Sequence, residues 1–246
     1  MANGIPEAAA EAIYQDIYDF ANYAFNKAHA VSYAVVAYQT AYFKRHFTKE
    51  YMAALLTSVL GNSDKVSEYI AECRDWGIRL LPPDVNHSCD SFTVEAEGIR
   101  FGLVAIKNIG RGFIQALMEE RKNGLFASFS DFCERMSGSD MNKRAVENLI
   151  CSGSFDAMGA HRSQLLDIYE KVLDNIATTR RQNLEGQIDF FGLSMSTEKL
   201  SQIDLPNIPE FAASRLMAME KESTGLFLSG HPMNAYRAAA RAQGAV

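Results

Sequence analysis

Cysteine is scarce and scattered. The four present, Cys73, Cys89, Cys133 and Cys151, form no CxxC pair, and no histidine stands at ligand spacing from them. That argues against a zinc module and against a disulfide framework, and leaves buried thiols in a reducing compartment as the expectation. Long apolar runs are also missing: nothing approaches the roughly 20 residues that span a bilayer. The opening stretch, MANGIPEAAAEA, is acidic and lacks the apolar core of a signal peptide, so a cytoplasmic protein that makes no membrane contact is expected. Neither end carries a convincing start or stop signal, which suits a piece of something longer. Positive charge is in short supply, with 24 Lys and Arg against 30 Asp and Glu and a net charge of −6. Affinity for nucleic acid comes from Lys and Arg neutralising phosphates. Any such contact here has to be local.

What is present is a foldable, helix-forming composition, 48% hydrophobic over 246 residues, enough for one large or two ordinary domains. The charges segregate. Residues 1–23 carry Glu7, Glu11, Asp16 and Asp19 and no Lys or Arg, whereas 27–49 carry Lys27, Lys44, Arg45 and Lys49, with His29 and His46, and no acid. Apolar residues at helical spacing predict a helix over 7–23, with Ile13, Ile17, Phe20 and Ala24 on one face, and a second over 28–46, with Val31, Val35, Tyr38 and Tyr42 in step. Thr48 is placed to cap a third helix ending before Gly61, and Ser63 a fourth, with Val66, Ile70 and Cys73 inward and Gly77 closing it. Ile78–Leu81 reads as a short strand stopped by Pro82 and Pro83. Ser91–Val94 and Ile99–Phe101 predict a small β-hairpin. Short helices then alternate with glycine-containing turns as far as Gly159. A long helix over 162–182, a linker over 183–209 and a last helix over about 210–224 follow. The fold class expected is mainly α with one small β-hairpin.

The segment 102–121 carries the chemistry. Ile109-Gly110-Arg111-Gly112 predicts a tight turn in which two glycines permit positive φ and remove the Cβ atoms that would block close approach. A helix begins at once, so its first N–H groups lie unsatisfied and, with the helix dipole, suit an anion. Lys107 and Arg111 flank the turn. A phosphate of a DNA strand fits such a site without any base being read. The pattern resembles the helix-hairpin-helix family, whose core is a hydrophobic residue followed by Gly-x-Gly. A second, degenerate unit is expected from a helix over 141–150 and a turn over Ser152–Asp156, with Lys143 and Arg144 in reach of a backbone. It lacks the paired glycines, and packing alone explains it equally well.

Two further segments stand out. Gln187-Ile188-Asp189-Phe190-Phe191 lies between Gly186 and Gly192, and two adjacent phenylalanines in a loop need a cover. Aromatic anchors in a partner's pocket, or packing on the protein's own helices, would supply it. At every one of its positions this peptide resembles the bacterial sliding-clamp-binding motif. On the basic helix, Lys27, His29, Tyr33, Tyr38 and Lys44 set cations beside aromatics, which suits phosphates and stacked bases, although an ordinary core helix with a solvated basic end has the same composition.

The order of these segments carries a wider resemblance. Phe25-Asn-Lys-Ala-His-Ala followed by Tyr33, Tyr38-Gln-Thr and Phe43-Lys, then Tyr51-Met-Ala-Ala-Leu-Leu, Leu81-Pro-Pro-Asp-Val-Asn86, Arg100-Phe-Gly-Leu103, Gly186–Gly192 and Leu226-Phe-Leu-Ser-Gly-His-Pro232 are similar to the α subunit of the bacterial replicative polymerase, DNA polymerase III. The resemblance implies that 1–90 belong to the distal fingers, 91–195 to a clamp-binding domain of tandem helix-hairpin-helix units with its clamp loop at 186–192, and 196–246 to a linker and helix leading toward an absent OB domain. It implies primer–template duplex, deoxynucleoside triphosphate and sliding clamp as partners. Lys27 and His29, and less directly Tyr33, Tyr38 and Lys44, would approach the nucleotide or template. Lys107, Ile109, Gly110, Arg111, Gly112, Lys143 and Arg144 would touch DNA, and Gln187 to Phe191 the clamp. No acidic pair matches the palm carboxylates that hold two divalent metals in this family. No catalytic residue, metal site or cofactor is therefore expected in this chain, Mg²⁺ being expected at the palm of the complete polymerase, and the chain alone is expected to be inactive. A stand-alone DNA-binding clamp adaptor without chemistry is the alternative, and a helical interaction protein that never touches DNA a third.

Overall fold

The computed structural model describes residues 4–22, 27–139, 141–184 and 204–236. The chain divides into two compact units, Met1–Tyr51 and Met52–Val246. The mainly α architecture is as expected, and the short strand and the hairpin predicted from the sequence join in one three-stranded sheet.

The first unit contains α1 (Glu7–Asn22) and α2 (Lys27–His46), and α3 (Thr48–Ser58) begins in it. Ile13, Ile17 and Phe20 share a face of α1 as predicted, but all three are exposed; Ala24 lies outside the described residues. On α2 no residue is buried, and Val31, Val35, Tyr38 and Tyr42 face outward. Among the described residues, then, α2 packs against no core. Nor does Thr48 cap α3 as an acceptor: its hydroxyl donates to the Lys44 carbonyl at 2.9 Å.

The second unit holds the core. Met52, Ala53 and Leu56 of α3 are buried, as are Val66, Ile70 and Cys73 of α4 (Ser63–Asp75). The cap of α4 is one residue earlier than predicted, because the Asn62 carboxamide accepts from the Lys65 N–H at 3.1 Å. Gly77, at φ +71°, closes the helix, the N–H of Ile78 reaching the Cys73 carbonyl at 2.8 Å. The strands β1 (Leu80–Leu81), β2 (Thr93–Glu95) and β3 (Gly98–Arg100) run in the order β1-β3-β2. β2 and β3 form the predicted antiparallel hairpin, and β1 lies parallel to β3 with Leu80 opposite Ile99. Gly98 is required there, since a Cβ would stand 2.2 Å from the Arg79 carbonyl oxygen.

Four helices complete the scaffold, α5 (Arg111–Glu120), α6 (Phe129–Arg135), α7 (Lys143–Cys151) and α8 (Arg162–Leu184); the last described α-helix is α9 (Ala213–Thr224), with a 3-10 helix over Pro232–Tyr236 after it. Phe101, Phe113, Phe132 and Phe155 are fully buried, and rings meet edge to face at 5.0–5.1 Å between Phe132 and Phe155, Phe126 and Phe132, and Phe129 and Phe155. Such pairs add about 0.5–1.5 kcal/mol each beyond area burial. The Leu81–Asn86 stretch is a clamp on this core. The Asn86 carboxamide donates to the Phe126 carbonyl at 2.9 Å and accepts from the Phe126 N–H at 2.8 Å. The Val85 N–H meets the Ser154 carbonyl at 3.0 Å. Burial pushes the Cys73 and Cys151 thiols up to about 11 each, and Cys133 higher still, which disfavours the reactive thiolate. No helix among the described residues is long and apolar enough to cross a membrane.

Candidate nucleic-acid interface

The predicted hairpin forms, with a different backbone device. A single 3-10 turn over Leu103–Ala105 precedes it, and α5 starts at Arg111. Neither glycine of the Gly-x-Gly pair supplies a left-handed residue. Gly110 is extended at φ −76° as the N-cap of α5, Gly112 lies inside the helix, and the left-handed position is Asn108 at φ +61°. Asparagine tolerates that region better than other residues with a Cβ. At Gly110 a Cβ would meet nothing within 4 Å, so this position of the turn faces open space.

Gly110, Arg111 and Gly112 are exposed and Ile109 is half-buried. The first intrahelical donor is Ile114, whose N–H bonds the Gly110 carbonyl at 3.1 Å. The N–H groups of Arg111, Gly112 and Phe113 come before it, and no side chain caps them. The uncapped, positive end of a ten-residue helix and the exposed residue Arg111 thus occur together at one turn. Lys107 is differently committed. Its N–H donates to the Ser223 carbonyl and its Nζ to the Glu222 carbonyl, both at 2.8 Å.

The turn over Ser152–Asp156, expected as a second, degenerate hairpin, is closed. Ser152 and Ser154 are buried, and the turn is filled from within: a Cβ on Gly153 would stand 2.3 Å from Arg162 Nη2. That guanidinium donates to the Cys151 carbonyl at 3.1 Å, to Asp156 at 2.7 Å and to the fully buried Glu220 at 3.2 Å. The start of α8 already holds an anion, the carboxylate of Glu210, which accepts from the N–H groups of Arg162 at 2.7 Å and Ser163 at 3.1 Å. Burial acts against that charge, but backbone N–H donors from Phe211, Arg162 and Ser163, with His161 nearby, hold the Glu210 carboxyl below the usual carboxylate range. The stretch from residue 204, expected to be a linker, is accordingly pinned. Ser163 and Gln164 also reach the carbonyls of Pro209 and Pro206. Of the cations predicted here, Lys143 pairs with Asp174 at 2.9 Å, and Arg144 is exposed at the start of α7.

Glu220 and Arg162 were not singled out from the sequence, and they organise the Leu226–Pro232 segment. The Glu220 carboxylate accepts from the N–H groups of Leu228 and Ser229 at 2.9 Å each and from the Ser229 hydroxyl at 3.0 Å. On α2, Lys27, His29, Tyr33 and Tyr38 are exposed and Lys44 half-buried, and the His29 and Tyr33 rings lie 4.2 Å apart. Gln187, Ile188, Asp189, Phe190 and Phe191 lie outside the described residues. Among the described residues no group of His, Cys, Asp and Glu side chains converges to hold a metal ion.

Residues 77–165 match the family model described as the helix-hairpin-helix motif. Along its length the chain is similar to DNA polymerase III subunit alpha of several bacteria. It is 40% identical to that of Mycobacterium leprae over 235 residues, covering 95% of this chain and 20% of the relative. For Thermus aquaticus the figures are 42% over 234 residues, 95% and 19%, and for Deinococcus radiodurans 40% over 234 residues, 94% and 17%. The chain thus spans about a fifth of the length of these relatives.

Proposed function

We propose that this chain, similar over its length to one segment of the DNA polymerase III alpha subunits, serves as the part of a DNA-directed DNA polymerase that grips duplex DNA, meets the incoming nucleotide and ties the enzyme to its sliding clamp. The observation that carries the grip is the exposed turn at Gly110–Gly112, where α5 begins without a side-chain cap and Arg111, its first residue, is exposed. A phosphate oxygen accepts from such donors whatever the base attached to it, so the contact is one of position and not of sequence. With the net charge at −6, repulsion of DNA elsewhere makes this local site decisive. Replacing Arg111 by Ala should weaken binding to a short duplex and lower the slope of log affinity against log salt by about 1. An unchanged slope would remove the grip from the account.

The remaining parts rest on the resemblance. Residues 1–90 act as distal fingers, 91–195 as the clamp-binding domain and 196–246 as the lead toward an OB domain. The exposed α2 presents Lys27, His29, Tyr33 and Tyr38, with Lys44 near its end, to the triphosphate and template. Lys143 and Arg144 are secondary DNA contacts, since Lys143 already has an acidic partner. Gln187–Phe191 tethers the sliding clamp, and replacing Phe190 and Phe191 by Ala should abolish capture of the chain by purified clamp. Transfer chemistry with its Mg²⁺ belongs to carboxylates elsewhere in a cytoplasmic polymerase, so the purified chain should extend no primer. Synthesis by the chain alone would contradict this.

A further inference from the structure

We infer that Lys107 is a positioning residue for the DNA-gripping turn, bracing it against the end of α9, and not itself a phosphate ligand. The inference rests on the grip proposed for Gly110–Gly112. The last turn of any α-helix leaves carbonyls without intrahelical donors. At the end of α9, Gly225 at φ +81° turns the chain and its N–H takes the Lys221 carbonyl at 2.9 Å. The next two carbonyls, of Glu222 and Ser223, are both taken by Lys107, one by its ammonium and the other by its backbone N–H. One residue therefore serves as a double cap for a helix more than a hundred positions later in the chain. Its charge sits at the negative end of the α9 dipole, where a cation is favoured.

The geometry makes this a brace for the hairpin as much as a cap for the helix. Lys107 immediately precedes the left-handed Asn108, and Gly110 starts α5 three positions on. With the backbone and side chain of Lys107 both fixed, the entry to the turn is held and the α5 donors are aimed. α9 is in turn fixed one turn earlier, because Glu220 is buried against Arg162. The bracing thus runs from the buried Arg162–Glu220 pair through the last turn of α9 to the turn that would meet DNA.

The test compares Lys107→Met, which keeps the stem and removes the donor, with Lys107→Gln, which keeps a neutral N–H donor, and with Arg111→Ala, all in the full 246-residue chain. Duplex affinity is measured across a salt series, and amide hydrogen exchange without DNA. A brace predicts that Lys107→Met weakens binding by about 3- to 10-fold at every salt concentration with the slope unchanged. It also predicts faster exchange in the last turn of α9, and recovery of most of both losses in Lys107→Gln. If the Met and Gln variants both flatten the slope as Arg111→Ala does, Lys107 is a phosphate ligand and the inference is wrong. Unchanged exchange in Lys107→Met also overturns it. Should Arg111→Ala leave the slope unaltered, it is the grip that has failed, and hydrogen exchange alone still decides the brace.

Discussion

Truncating Glu220 to Ala tests the joint that ties α8 to α9. The carboxylate is fully buried and accepts from four groups: Arg162 at 3.2 Å, the N–H groups of Leu228 and Ser229 at 2.9 Å each, and the Ser229 hydroxyl at 3.0 Å. Breaking one partner of a buried ion pair costs about 3–5 kcal/mol, because the other charge stays behind. Here Arg162 keeps Asp156, at 2.7 Å, and the Cys151 carbonyl. Ser229 lies at the surface, where water replaces part of what is lost. Both points place the expected cost at the lower end, about 3 kcal/mol. For a unit of this size each kcal/mol lowers the melting temperature by about 2–4 °C, so a fall of roughly 6–12 °C is expected. Circular dichroism at neutral pH, with urea titration as a second measure, reads it directly. A loss below about 1 kcal/mol would mean that the pair merely offsets its own desolvation, and the joint would have to be credited to apolar packing.

Acid should loosen the Glu210 contact. Its carboxyl is held below the usual range in the fold, so its contribution is present above the ordinary glutamate value of 4.5 and disappears as pH falls through the depressed folded value. Glu210→Gln should therefore flatten the acid side of the stability profile, and an unchanged profile would count against it. Gly153→Ala combines a left-handed φ of +83° with a Cβ set 2.3 Å from Arg162 Nη2; a cost of at least about 2 kcal/mol in urea is expected, whereas Gly110→Ala, where a Cβ meets nothing, should cost no more than about 1 kcal/mol.

Short-range signals were legible in the sequence. Apolar spacing located α1, α2, α4 and α8, and turn residues located the β2–β3 hairpin and the start of α5. Where two local devices competed, the reading erred by small steps. Asn62 and Ser63 are both good caps and only the first is used. The glycine pair drew attention as a source of left-handed backbone that Asn108 supplies instead. What could not be read are contacts between distant residues. Nothing in the local pattern joins Arg162 to Glu220, Glu210 to the start of α8, or Lys107 to the end of α9. Isolated charges in sequence look like solvated surface until the fold brings them together. For the same reason Lys143 read as a free cation, although its partner Asp174 waits 31 positions on.

The parallel pairing of β1 with β3 has a practical consequence for anyone shortening this chain. The N–H groups of Ile99 and Phe101 are met by the carbonyls of Arg79 and Leu81, at 2.9 and 3.0 Å. A fragment begun at residue 91, an obvious place to cut from composition alone, would keep the hairpin and discard its neighbour. Two donors would be left bare along a strand whose Ile99 is fully buried in the intact unit. Uncovered strand borders recruit other molecules. Such a fragment should come out of expression clumped, while one that keeps both α3 and α4, with their buried Leu56 and Ile70, should stay dispersed.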